Sequence, residues 1–215
     1  GGSIPPSVHR CYMLGQNSRP LKAEFSSIFF TFTINSHKMT VSYFKSLLNT
    51  TDSVAVSVEA ILGGIKNGKA GKLVTSIRTE TDKNKRASLK KQLSAVCFSG
   101  VFERRSDSAI QSHSGIICLD FDGYQGQDLQ EAMRFFREDK YTYSAFVSPS
   151  GKGIKVLVRI PAEIETHTNR FDALKEYYDS EFFDATSRNI SRVCFMSYDP
   201  SLYHNPESEL FLGLV

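Results

Sequence analysis

Tryptophan is absent from the 215 residues, and cysteine is scarce: Cys11, Cys97, Cys118 and Cys194 are the only four. No two of them form a CxxC pair, and three lie in apolar, strand-like runs. They read as reduced core thiols of a cytoplasmic protein, which excludes a disulfide scaffold or a zinc ribbon. The five histidines are scattered without metal-ligand spacing. A membrane-length apolar run is missing too. The stretch FSSIFFTFTI (25–34) falls short of the roughly 20 residues that cross a bilayer, and no small-residue cleavage site follows an apolar run in residues 1–38. Charge of one sign is not in excess either: the net value is +3, so any acidic partner must be met by the distribution of charge rather than its sum. Internal repeats and low-complexity tracts are likewise absent.

What is present is an ordinary globular composition, 40% hydrophobic and 23% charged, which excludes wholesale disorder. The leading GGS reads as a tag remnant and Met39 as a natural start, so residues 1–38 are expected to be a peripheral N-terminal extension; mass spectrometry of the native N-terminus checks this. Two modules are expected after it. Residues 39–112 form a helical, basic α/β module, and residues 113–215 a second unit, the two together making one domain. In the first, a short helix over Val41–Asn49 and a second over Ser53–Ile65 precede a Gly/Lys loop, KNGKAGK. A basic helix, KNKRASLKK (83–91), follows, then one strand, SAVCFSGVFERR. The polar loop SDSAIQSHS marks the boundary.

The second unit reads strand (115–122), helix (127–138), strand (141–148), strand after the PSGKG turn, helix (168–180), strand (192–198). On the first helix Leu129, Ala132, Met133 and Phe136 repeat along one face. This order is β-α-β-β-α-β, a ferredoxin-like or RRM-like unit in an α+β protein. In such a sheet the fourth strand flanks the first, so Asp120 and Asp122, Lys152 and Lys155, and Asp184 with Arg192 meet at one end. Alternation places Ile117, Leu119 and Phe121 on one face of the first strand and the two aspartates on the other. Cys118, Leu157 and Met196 share that second face, so the N-terminal module is expected to cover its far end.

Carboxylates at i and i+2 on one strand point the same way, about 7 Å apart at the backbone. With Asp184 as a third, they suit Mg²⁺ or Mn²⁺ in a two-metal site of the kind that clamps the attacking and leaving oxygens of phosphoryl transfer. Ser148, Ser150, Lys152 and Lys155 in and beside the Gly-rich turn suit phosphate oxygens, and Arg192 adds a bidentate contact. The basic residues Lys83, Lys85, Arg86, Lys90, Lys91, Arg104 and Arg105 are expected to guide a nucleic-acid strand. Three rival readings stand beside this one. A haloacid dehalogenase-type phosphatase has a DxDG motif, but normally a Thr follows where this chain has Tyr124. A P-loop near-match, GGIKNGKA, has Ala70 where a magnesium-binding hydroxyl is needed. A non-catalytic single-strand-binding or regulatory module would stack bases on strand aromatics, which the carboxylate-bearing face lacks.

The motifs CLDFDG, SPSGKGIKVLV and FDATSRNISRVCFMSYDP, in this order, resemble the VirE N-terminal domain family, related to the archaeo-eukaryotic primases. The resemblance spans roughly residues 55–210. It implies a primase-polymerase-like nucleotidyltransferase of a mobile-element replication protein, using Asp120, Asp122 and Asp184 to hold metal. Its implied partners are a single-stranded DNA template, nucleoside triphosphates and a helicase. Lys155 stands where related primases carry a phosphate-contacting His, and Arg192 matches the arginine after the third acidic residue.

Overall fold

The computed structural model describes residues 39–124 and 126–215. Cys11, the apolar stretch 25–34 and the expected extension over 1–38 lie outside the described residues. The described residues make one compact unit. It opens with a hairpin, β1 (Thr40–Phe44) and β2 (Ser53–Ser57), whose strands pair antiparallel from Thr40–Ser57 to Phe44–Ser53. A helix over Val41–Asn49 was the expectation. Instead Val41, Ser42 and Phe44 are buried, and β1 lies between two partner strands, so tertiary pairing overrides the local pattern. The expected helix Ser53–Ile65 likewise yields its first five residues, SVAVS, to β2. Its helical part is α1 (Val58–Lys66), which starts where the Ser57 hydroxyl accepts from the Ala60 N–H at 3.2 Å. The Gly/Lys loop is shorter than expected, because Gly71 already begins α2 (Gly71–Thr79), with Val74 and Ile77 buried. The basic helix α3 (Lys83–Lys90) forms as expected. It is capped by the Asp82 carboxylate, which accepts from the Lys85 N–H at 2.8 Å.

The single strand expected in SAVCFSGVFERR is two: β3 (Ala95–Cys97) and β4 (Gly100–Phe102), separated by Phe98 and Ser99. β4 turns away to pair with β5 (Ile110–His113), inside the segment expected as a loop. A Cβ at Gly100 would stand 2.1 Å from the Ser112 carbonyl oxygen, so this pairing needs glycine there.

The second half follows the expected order: β6 (Ile116–Asp122), α4 (Gln127–Glu138), β7 (Thr142–Val147), β8 (Gly153–Arg159), α5 (His167–Tyr178), then the short β9 (Cys194–Phe195) and β10 (Tyr203–His204). Its sheet has the antiparallel order β10-β7-β8-β6. The expected place of the fourth strand is corrected. β9 does not flank β6; it pairs with β3 and closes the N-terminal sheet, order β2-β1-β3-β9. The free side of β6 is met by residues 182–184. Phe183 bridges Phe121, the Asp122 N–H donates to the Phe182 carbonyl at 2.8 Å, and the Asp184 N–H donates to the Asp120 carbonyl at 2.8 Å.

Both faces of the β6–β8 sheet are covered, by different halves of the chain. Ile117, Leu119, Phe121, Val156 and Val158 pack with Met133 and Phe136 of α4 and with Phe171 and Leu174 of α5. On the other face Ile116, Leu157 and Phe146 pack with Val41, Ile61, Leu62, Cys194 and Met196, and Cys118 lies against them. The cover expected for that face is therefore in place, and it stops short of the strand ends that carry the carboxylates.

Candidate active site

β6 delivers two carboxylates to the open end of its sheet. Across the ladder Asp120 faces Lys155, and Asp122 faces Gly153. The turn at 182–184 delivers the third, since the bond from the Asp184 N–H to the Asp120 carbonyl sets the two side chains next to each other. One oxygen from each of Asp120, Asp122 and Asp184 lies within 4.8 Å of the others, a set that can hold a divalent metal. Two details fit that use. Asp120 is 8% exposed, and its Oδ1 is buried with no hydrogen-bond partner among the described residues. A buried, unpartnered carboxylate oxygen is costly unless a cation meets it. Gly153 matters as well, because a Cβ there would stand 2.4 Å from Asp122 Oδ1 and 2.8 Å from the Phe121 carbonyl. Only glycine leaves Asp122 its position.

The electrostatics separate the three acids. Burial pushes the Asp120 carboxyl above its ordinary range, against the pull of Lys155, whose ammonium pairs with Oδ2. Burial acts to lower Lys155, and Cys194 and Asp120 more than offset it, so the ammonium stays charged. Partial burial acts to raise Asp184, but the Thr186 hydroxyl and N–H, and then Arg192, hold it below the usual carboxylate range. Its Oδ1 accepts from both Thr186 groups, and its Oδ2 from Arg192 at 3.2 Å. Asp122 is exposed.

Asp120 and Asp122 line a cleft of about 370 Å³ with Ser148, Ser150, Lys155, Arg192 and Lys90; Asp184 is not on that lining and adjoins it through its bonds to Arg192 and to the Asp120 carbonyl. The Ser148 and Ser150 hydroxyls lie 2.9 Å apart. Of the residues expected at phosphate, Lys152 is not on the lining. It is exposed, and its carbonyl accepts from the Gly123 and Tyr124 N–H groups at 3.0 and 3.1 Å. Of the basic residues expected to guide a strand, only Lys90 reaches the cleft. Lys83, Lys85 and Lys91 are exposed along and just after α3, and Arg86 donates to the Thr81 carbonyl at 3.1 Å. Arg104 is exposed, while Arg105 donates to the Leu47 carbonyl at 3.0 Å and so fastens the β1–β2 loop. That loop supplies what the sequence reading missed. Leu47, with Val193 and Phe195, makes an apolar part of the cleft lining. Arg78 was missed too; it donates to the Ser148 and Tyr198 carbonyls at 3.1 and 3.0 Å. A wider depression of about 640 Å³, lined by Lys66, Arg137 and residues 200–204, contains no carboxylate.

No curated protein matches the chain in sequence. Among solved structures, the AEP domain of the cyanophage S-2L primase-polymerase is similar at 16% identity and a TM-score of 0.43, over 80% of this chain and 84% of that one. The motifs that resemble the VirE N-terminal family fall inside residues 88–204, the segment that a family model matches under another label. The chain belongs to the family described as BT4734-like, N-terminal domain.

Proposed function

We propose that this cleft is the active centre of a metal-dependent nucleotidyltransferase of the primase-polymerase kind. The observation that carries the reading is the meeting of Asp120, Asp122 and Asp184 within 4.8 Å, two of them lining a cleft that Lys155 and Arg192 also line. Carboxylates side by side with cations suit a substrate whose phosphates bring their own metal. Asp120, Asp122 and Asp184 would hold Mg²⁺ or Mn²⁺, which supplies charge stabilisation to the attacking and leaving oxygens. Ser148, Ser150 and Arg192 bind the triphosphate. Lys155 keeps its proton and neutralises both Asp120 and phosphate charge. The apolar wall of Leu47, Val193 and Phe195 excludes water from one side of the reacting groups. A 3′-hydroxyl oxygen attacks the α-phosphorus, its proton passes to solvent, the α–β phosphoanhydride bond breaks, and pyrophosphate leaves. α3 carries the phosphates of a single-stranded template through Lys90 and its neighbours. The motif resemblance adds a mobile-element replication role beside a helicase. The free thiols of Cys97, Cys118 and Cys194 suit a cytoplasmic setting, and among the described residues no helix is long and apolar enough to cross a membrane.

A second reading has one observation in its favour. Lys155 already occupies one oxygen of Asp120, as it would in a binding module whose metal site has degenerated. Labelled-nucleotide incorporation on a single-stranded template with Mg²⁺ or Mn²⁺ separates the two. Incorporation that Asp120→Asn/Asp122→Asn lacks supports the enzyme. No incorporation by the wild type, together with retained strand binding, supports the module.

A further inference from the structure

Arg78 stands outside every motif of the sequence, on a helix the sequence reading missed, yet it holds the cleft's phosphate turn from behind. Its Nη2 donates to two main-chain carbonyls from distant segments, Ser148 at 3.1 Å and Tyr198 at 3.0 Å. Its stem and Nε lie 3.5 Å from where a Cβ of Gly151 would stand, and Gly151 has φ +73°. One side chain thus underlies the turn from Ser148 to Gly151. The second carbonyl is fixed as well. A Cβ at Gly68 or at Gly71 would stand 3.2 or 3.5 Å from the Tyr198 ring, so the corner between α1 and α2 is shaped to seat that ring. Asp199 accepts from the Val147 N–H at 2.9 Å, and the Ser197 hydroxyl donates to the Val147 carbonyl at 2.6 Å. The turn is therefore gripped on the side away from the cleft, while Ser148 and Ser150 line the cleft itself.

We propose that Arg78 is a positioning residue for nucleoside triphosphate: it touches no substrate, but sets the Ser148–Gly151 turn at the height where the serines and Lys155 receive the phosphates. The proposal rests on the nucleotidyl-transfer reading and names the group that organises its phosphate subsite. A guanidinium serves here because one planar nitrogen with two hydrogens bridges two fixed carbonyls, which a flexible ammonium does less well.

The test measures binding of a fluorescent nucleoside triphosphate and of the matching monophosphate in Ca²⁺, beside single-stranded DNA binding and the melting temperature. Wild type, Arg78→Ala and Arg78→Lys are compared. Arg78→Ala removes two charge-assisted bonds, so triphosphate affinity is expected to fall by about ten- to a hundredfold. Monophosphate and DNA affinities are expected to hold, Arg78→Lys to recover part of the loss, and incorporation kinetics to show a raised KM at unchanged kcat. Should Arg78→Ala not fold, Gly151→Ala strains the same turn directly, because φ there is +73°, and the same triphosphate-selective loss is expected. Wild-type triphosphate binding that Arg78→Ala or Gly151→Ala retains overturns this inference alone, as does an equal loss toward all three ligands. A wild type that binds no triphosphate overturns the nucleotidyl-transfer reading, and this one with it.

Discussion

Asp120 and Asp122 sit two residues apart on one strand and differ in nearly everything but charge. Asp120 is buried, paired with Lys155 and left with one unpartnered oxygen; Asp122 is exposed. Their substitutions should separate accordingly. On the proposed function Asp122→Asn removes a metal ligand at a surface position, so incorporation should fall by about a hundredfold or more, while thermal stability stays within about 0.5 kcal/mol of wild type. A matching fall in stability would make Asp122 structural. Gly153→Ala should fail differently. Its Cβ would overlap Asp122 Oδ1 and the Phe121 carbonyl, so both metal binding and stability should drop, the latter by about 1–3 kcal/mol; calorimetry with Mn²⁺ and a denaturant melt report the two. Residues this local were legible in the sequence, because alternation and strand order alone aim Asp120, Asp122 and Lys155. Arg78 and Leu47 were not. Each is brought in by a segment far along the chain from the acids, and no short pattern records them.

Elements whose faces are amphipathic and whose ends are marked were readable. α4 and β6–β8 came out nearly residue for residue, since their apolar spacing and the Gly-rich turn agree with the tertiary fold. β1 did not, because its strand character comes from partners on both edges, and α2 did not, because Gly68 and Gly71 read as loop when they serve as a seat for Tyr198. Another element-level device joins β5 to α5. The Gly115 N–H donates to His113 Nδ1 at 2.9 Å, so His113 Nε2 carries the hydrogen and donates to His167 Nδ1 at 3.0 Å. Burial pushes His113 down to about 4, helped by Arg170. It pushes His167 down to about 3, helped by His113 and opposed by Asp107. Both rings are neutral in the fold, while the unfolded chain takes up protons below about 6.5. The stability they contribute is thus full above that pH and is lost as pH falls toward about 4. The melting temperature should decline over that window, and His113→Gln/His167→Gln should flatten the decline; an unchanged slope in the double variant would remove the pair as its cause.

At the scale of the molecule, the two halves recognised in the sequence are interlocked rather than serial. β9 belongs by sequence to the second half and by pairing to the first sheet, and the face of β6–β8 opposite its helices packs on residues from the first half. Residues 113–215 expressed alone should therefore lack fixed packing, visible as absent near-ultraviolet dichroism and bound apolar dye; a cooperative melt of that fragment would show the halves to be independent. The charge layout is also molecular, with the basic helix α3 ending at the cleft through Lys90. Replacing Lys83, Lys85, Lys90 and Lys91 by Ala should weaken single-strand binding and reduce the slope of log affinity against log salt by about 0.7 for each phosphate no longer neutralised. The interlocking also bears on biosynthesis. The edge of β3 stays open until the chain reaches Cys194, about a hundred residues later, which at ribosomal speed is roughly 5–20 s. Asp184 and Arg192 arrive in that same late stretch. A nascent or truncated chain thus lacks both the closing strand of that first sheet and its third acid. On the proposed function, truncated products would not compete with the finished protein for metal or nucleotide, and quality control would meet an exposed sheet edge.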